Sequence, residues 1–87
     1  MSQAPITLYT TAWCGYCQRA RQLLDAKKLQ YTEIDVEESP QRREEMVSRS
    51  QRHTVPQIFI GTRHIGGCDE LFALERSGDL EQITQGD

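Results

Sequence analysis

The sequence predicts an α/β fold, a four-stranded mixed sheet flanked by helices in the order β-α-β-α-β-β-α. Three observations carry that expectation. A β-branched run at Ile6-Thr7-Leu8-Tyr9-Thr10 and an alternating run from Tyr31 to Val36 bracket a stretch of helical period. The stretch from Ser2 to Val36 is therefore a βαβ unit, with parallel strands and a right-handed crossover. Further on, Gln57-Ile58-Phe59-Ile60 turns at Gly61-Thr62 into Arg63-His64-Ile65, a hairpin that adds an antiparallel pair. Finally, 87 residues leave room for one small layered domain, taken here as residues 1–87.

Each element has a local cause. The first strand is β-branched and aromatic, side chains that suit a pleated surface. From Gly15 to Lys28, small or apolar residues fall at Cys17, Ala20, Leu23 and Leu24, with Arg19, Arg21, Gln22 and Lys27 between them. That spacing gives a helix with one buried face. Ser39-Pro40 supplies N-cap and first position of a second helix, with Glu44 and Glu45 early and Arg49 and Arg52 late. After the hairpin, Gly66-Gly67 leads into a helix from Asp69 to Arg76 that stops at Gly78, with Asp69 as its cap. A short helix over Asp79 to Ile83 finishes the chain.

Bulk composition excludes several functions. A net charge of -3 provides no basic field, so no nucleic-acid partner is indicated. No apolar run approaches the roughly 20 residues that span a bilayer, so no membrane partner is expected. The N-terminus lacks a charged segment followed by an apolar one, which places the expected protein in the cytoplasm. Three cysteines are an odd count and too few to staple a secreted scaffold, which shifts weight toward chemistry.

Cys14 and Cys17 form a C-x-x-C at the junction of the first strand and first helix. The unpaired N–H groups and positive dipole end of the helix favour thiolate at Cys14, the better nucleophile. Cys17, one turn further in, is expected to be more buried and to remain a thiol. Such a pair suits attack by the first sulfur and resolution by the second. A zinc knuckle would need two more ligands, and Cys68, His53 and His64 form no second C-x-x-C or C-x-x-H. A structural pair is the other bland alternative; the position in a βαβ unit favours a redox motif.

"CGYC" at 14–17, "HTVPQIFIG" at 53–61 and "HIGGCDEL" at 64–71 together resemble glutaredoxin, over nearly the whole chain and most closely the short bacterial type. The resemblance implies a thioredoxin-like fold and a monomeric apo-protein. It implies a glutathione-dependent oxidoreductase acting on disulfide-containing or glutathionylated proteins. It further implies a cis-proline loop at Thr54-Val55-Pro56, where Val55 pairs with the peptide like a strand; the bland alternative is an ordinary turn proline opening a strand. By the same analogy Gly67, Cys68 and Asp69 receive the γ-glutamyl end, with the N–H groups of Cys68 and Asp69 taking its carboxylate and the Asp69 side chain its amine. Tyr16 lies over the cysteinyl part or is simply an exposed aromatic. Arg43 reaches the glycyl carboxylate or is a solvated charge. Trp13 belongs to the rim that protein substrates touch or staples the helix. Cys68 is read as a small packed residue, His53 and His64 as surface or hairpin residues.

Two positions depart from the family pattern. Many dithiol members have proline where Gly15 stands, and a lysine where Thr11 stands. The lost lysine removes one partner for the glycyl carboxylate and one stabiliser of the Cys14 thiolate. Glycine after the first cysteine also occurs in members that hold a [2Fe–2S] cluster, as homodimers in which Cys14's counterpart and a bound glutathione from each side are ligands. Here the proline ring's absence opens space over the sulfur, so a cluster carrier with Cys14 as metal ligand is the alternative reading.

Overall fold

The computed structural model describes residues 3–85, so the part of the βαβ assignment that falls on Ser2 lies outside it. The elements are β1 (Ile6–Thr10), α1 (Gly15–Ala26), β2 (Thr32–Asp35), α2 (Pro40–Ser50), β3 (Gln57–Ile60), β4 (Arg63–Gly66), α3 (Cys68–Ser77) and α4 (Asp79–Thr84). The strands order as β2-β1-β3-β4. β1 runs parallel to β2 and antiparallel to β3, and β3 pairs antiparallel with β4. This is the mixed four-stranded sheet the sequence predicts.

Alternation along β1 and β3 divides the core in two, because successive side chains leave opposite faces of a strand. Ile6, Leu8, Ile58 and Ile60 pack with Ala20 and Leu24 of α1, Leu71 of α3 and Leu80 of α4. Tyr9 and Phe59 leave the other face and pack with Val36 and with Met46 of α2. Helices α1 and α3 thus cover one face and α2 the other. Tyr9 and Phe59 meet edge to face, their ring centroids 5.8 Å apart.

The local rules hold at several boundaries. Ser39 caps α2, its hydroxyl accepting from the N–H of Arg42 at 3.3 Å, with Pro40 in the first turn. Gly78 stops α3 at φ 83°, the left-handed conformation that glycine adopts without a Cβ penalty. The start of α3 differs from expectation. Gly67 is the N-cap, Cys68 opens the helix, and Asp69 lies inside the first turn rather than capping it. Glu70 is the capping side chain: its Oε1 accepts the N–H of Gly67 at 2.6 Å.

Candidate active site

Cys14 is the N-cap of α1, in extended backbone at φ −112°, ψ 116°. Its Sγ accepts the N–H of Cys17 at 3.2 Å. That is the N-cap to N3 bond that serine or aspartate makes at other helix starts, with sulfur as the acceptor. The C-x-x-C spacing and the capping spacing are the same spacing. Cys14 Sγ also donates to the carbonyl of Val55 at 3.8 Å, which ties the helix start to the loop before β3.

Cys17 is fully buried. Burial pushes its thiol up to about 12, reinforced by the neighbouring Cys14 sulfur. A backbone hydrogen bond from Thr11 works the other way. Thr11 therefore reaches the pair through its main chain, a contact independent of the side chain at that position. Cys68 is also buried, and burial raises its thiol. Cys14 is the one cysteine of the three with intermediate exposure.

Beside this pair lies a groove of about 330 Å³, lined by Tyr16, Arg52, Thr54, Val55, Pro56 and the stretch from Gly67 to Glu70. The Val55–Pro56 peptide bond is cis. In α3 the N–H of Leu71 bonds to the carbonyl of Gly67 at 3.0 Å, so those of Cys68 and Asp69 precede the first intrahelical bond. The structure thus gathers Tyr16, Thr54, Val55, Pro56, Gly67, Cys68 and Asp69 in one place. Trp13 is 95% exposed, which removes the staple alternative, and Tyr16 is 59% exposed on the groove wall.

Arg43 is not brought to this groove. Its Nη2 donates to the carbonyl of His53 at 3.3 Å, and it lines a separate pocket with Pro40, Glu44 and Val47. The groove's guanidinium belongs to Arg52, which faces Glu70 across 3.5 Å. Sequence reasoning missed Arg52 and Glu70. The G-x-x-E spacing from Gly67 was the available signal for Glu70, since glutamate three residues into a helix reaches back to the N-cap N–H. For Arg52, which lies beyond the end of α2, no local signal existed.

Gly15 has no conformational task here. A Cβ at this position meets no atom beyond its chain neighbours within 4 Å, so a side chain fits there without displacing the rest of the fold. Proline is well suited to a helix's first position, and the extended backbone of Cys14 is what a residue before proline adopts. Gly15→Pro is expected to stabilise the fold by about 0.5–1 kcal/mol, through a more restricted unfolded chain. Urea unfolding measures this; a lower midpoint would show that the turn needs glycine.

A [2Fe–2S] cluster finds no donor set among the described residues of a single chain. Among the described residues no three His, Cys, Asp or Glu side chains come together as metal ligands, and Cys14 offers one accessible sulfur. No described helix is long and apolar enough to cross a membrane.

Comparison with known proteins bears on this arrangement. The glutaredoxin family model matches residues 6–65. A glutaredoxin of Pseudomonas aeruginosa is 49% identical over 79 residues, covering 91% of this chain and 94% of its own. The solution structure of a Brucella melitensis glutaredoxin superposes with a TM-score of 0.86 at 46% identity, over 98% of this chain and 92% of that one. The crystal structure of a buckwheat glutaredoxin–glutathione complex superposes with a TM-score of 0.85 at 30% identity, over 93% and 76%.

Proposed function

The chain belongs to the glutaredoxin family, a family of thiol–disulfide oxidoreductases, and from that premise we propose that it is glutathione-dependent, with Cys14 as nucleophile and Cys17 as resolving thiol. The observation that carries this reading is the Cys14 sulfur held at the N-cap of α1 against Val55, a residue that itself lines a groove with donors and one guanidinium. The glutathione bound by the buckwheat relative supports the choice of co-substrate.

On a protein–glutathione mixed disulfide, the Cys14 thiolate attacks the glutathione sulfur. The S–S bond breaks, and the protein's sulfur leaves as thiolate and takes a proton. A second glutathione thiolate attacks the Cys14-bound glutathione, releasing glutathione disulfide and restoring the Cys14 thiolate. On a protein disulfide, Cys14 forms a mixed disulfide with one sulfur. Cys17 then loses its proton and attacks Cys14, freeing the substrate dithiol and leaving a Cys14–Cys17 disulfide for two glutathiones to reduce.

The first-turn N–H groups of Cys68 and Asp69 take one carboxylate of glutathione, and Asp69 takes its amine. Arg52 takes the glycyl carboxylate, in place of Arg43. Its pair with Glu70 is half exposed on both sides, so it is loose enough to exchange for a ligand. Arg52→Ala is expected to raise the apparent KM for glutathione about tenfold, while Arg43→Ala leaves it within about twofold. Turnover of a glutathionylated peptide under varied glutathione measures both. A larger effect of Arg43→Ala would return the clamp to Arg43, equal effects would leave Arg52 without a special role, and turnover independent of glutathione would remove the reading.

A further inference from the structure

Gln57 is fully buried and polar, at the start of β3 on the sheet face that carries Phe59. Its amide is satisfied at both ends. Nε2 donates to the carbonyl of Thr54 at 2.9 Å and meets Thr54 Oγ1 at 3.2 Å. Oε1 pairs with Nε2 of His64 at 2.7 Å. A carbonyl oxygen only accepts, so Thr54 dictates which way the amide faces. An amide oxygen also only accepts, so Nε2 of His64 carries the hydrogen of that bond. The neutral imidazole is then the Nε2–H tautomer, with its free lone pair on Nδ1.

We propose that Gln57 is a positioning residue for the Thr54–Val55–Pro56 loop, and that His64, as the Nε2–H tautomer, holds the Gln57 amide in place. The anchor lies on the α2 side of the sheet. His64 opposes Phe59 in the β3–β4 register, and their rings lie 4.9 Å apart. The guanidinium of Arg49 in α2 sits 4.0 Å over the other ring, Phe59. One hydrogen-bonded amide therefore connects this packed layer to the loop whose Val55 carbonyl meets Cys14. Burial, joined by the cations of Arg52 and Arg49 and opposed by Glu70, lowers the His64 pKa, which keeps the ring neutral at pH 7.

The functional half of this proposal rests on the glutathione reading; the structural half does not. Nitrogen NMR of His64 in the intact wild-type protein is expected to show a single Nε2–H tautomer. In Gln57→Glu the carboxylate still accepts from His64 but has no hydrogen for the Thr54 carbonyl. The backbone resonances of Thr54 and Val55 are expected to move, and the His64 pKa to rise. The apparent KM for glutathione is expected to rise about fivefold to tenfold, with kcat changed less than about twofold. A Nδ1–H tautomer in the wild type overturns the proposal, as does a folded Gln57→Glu variant with unmoved loop resonances or a KM within twofold. Should the wild type show no glutathione dependence, the proposed function falls, while the tautomer and loop resonances still decide whether Gln57 positions the loop.

Discussion

Cys14→Ser is expected to lose turnover of glutathionylated and disulfide substrates alike, by at least roughly 10³-fold in kcat/KM. Cys17→Ser is expected to retain deglutathionylation within a few-fold and to lose protein-disulfide reduction by roughly 10²-fold. The asymmetry follows from which atoms touch the Cys14 sulfur. Its close donor is the main-chain N–H of residue 17 at 3.2 Å, which serine keeps. What serine removes is a buried thiol pushed up to about 12, which stays protonated at pH 7. Cys17 is therefore silent until Cys14 is tied up in a mixed disulfide. Below that pKa the thiolate fraction grows with pH, so the resolving step should accelerate about tenfold per pH unit between pH 6 and 9. Single-turnover release of a dithiol peptide measures that slope. Loss of both activities in Cys17→Ser, or a flat profile, would refute the division of roles.

What was readable in the sequence and what was not separates by range. Ser39-Pro40, Gly61-Thr62 and Gly78 act within a few residues, and the structure places each boundary where local chemistry puts it. The C-x-x-C was legible for the same reason, since N-cap and N3 sit three apart in any helix. The start of α3 was misplaced by one residue, because Gly66-Gly67-Cys68-Asp69 contains several acceptable caps. The choice among them depends on Glu70 reaching back to Gly67. Arg52 and Arg43 could not be ranked as glutathione ligands from sequence, because the end of α2 and its loop decide which one faces the groove. Gln57 and His64 read as ordinary hairpin residues. Their pairing needs the register of β3 on β4 and a loop carbonyl three residues back, both products of the assembled sheet.

Gly66→Ala is expected to destabilise the fold by about 2–4 kcal/mol, the larger part of it backbone strain at residue 66 and the rest the lost Glu70 cap at the start of α3. Two costs combine. Gly66 sits at φ 121°, outside the conformations open to a residue with a Cβ. An added Cβ would also come to 2.7 Å from Glu70 Oε1 and 2.9 Å from its Cγ. The glutamate can swing away, but only by giving up the Gly67 N–H at 2.6 Å and its pairing with Arg52. That loss has a pH signature. The Gly67 N–H holds the Glu70 carboxyl below its ordinary value, so its contribution is present above the ordinary carboxylate range and fades as pH falls through the lowered value. Gly66→Ala should therefore cost more at neutral pH than in acid. In a Glu70→Ala background the clash and the cap are both gone, and Gly66→Ala should there cost only the backbone strain, about 1–3 kcal/mol. Urea unfolding of the four proteins at neutral and acid pH supplies the cycle. A cost that is the same in both backgrounds would mean that the glutamate was never the obstacle, leaving glycine at 66 a purely conformational requirement.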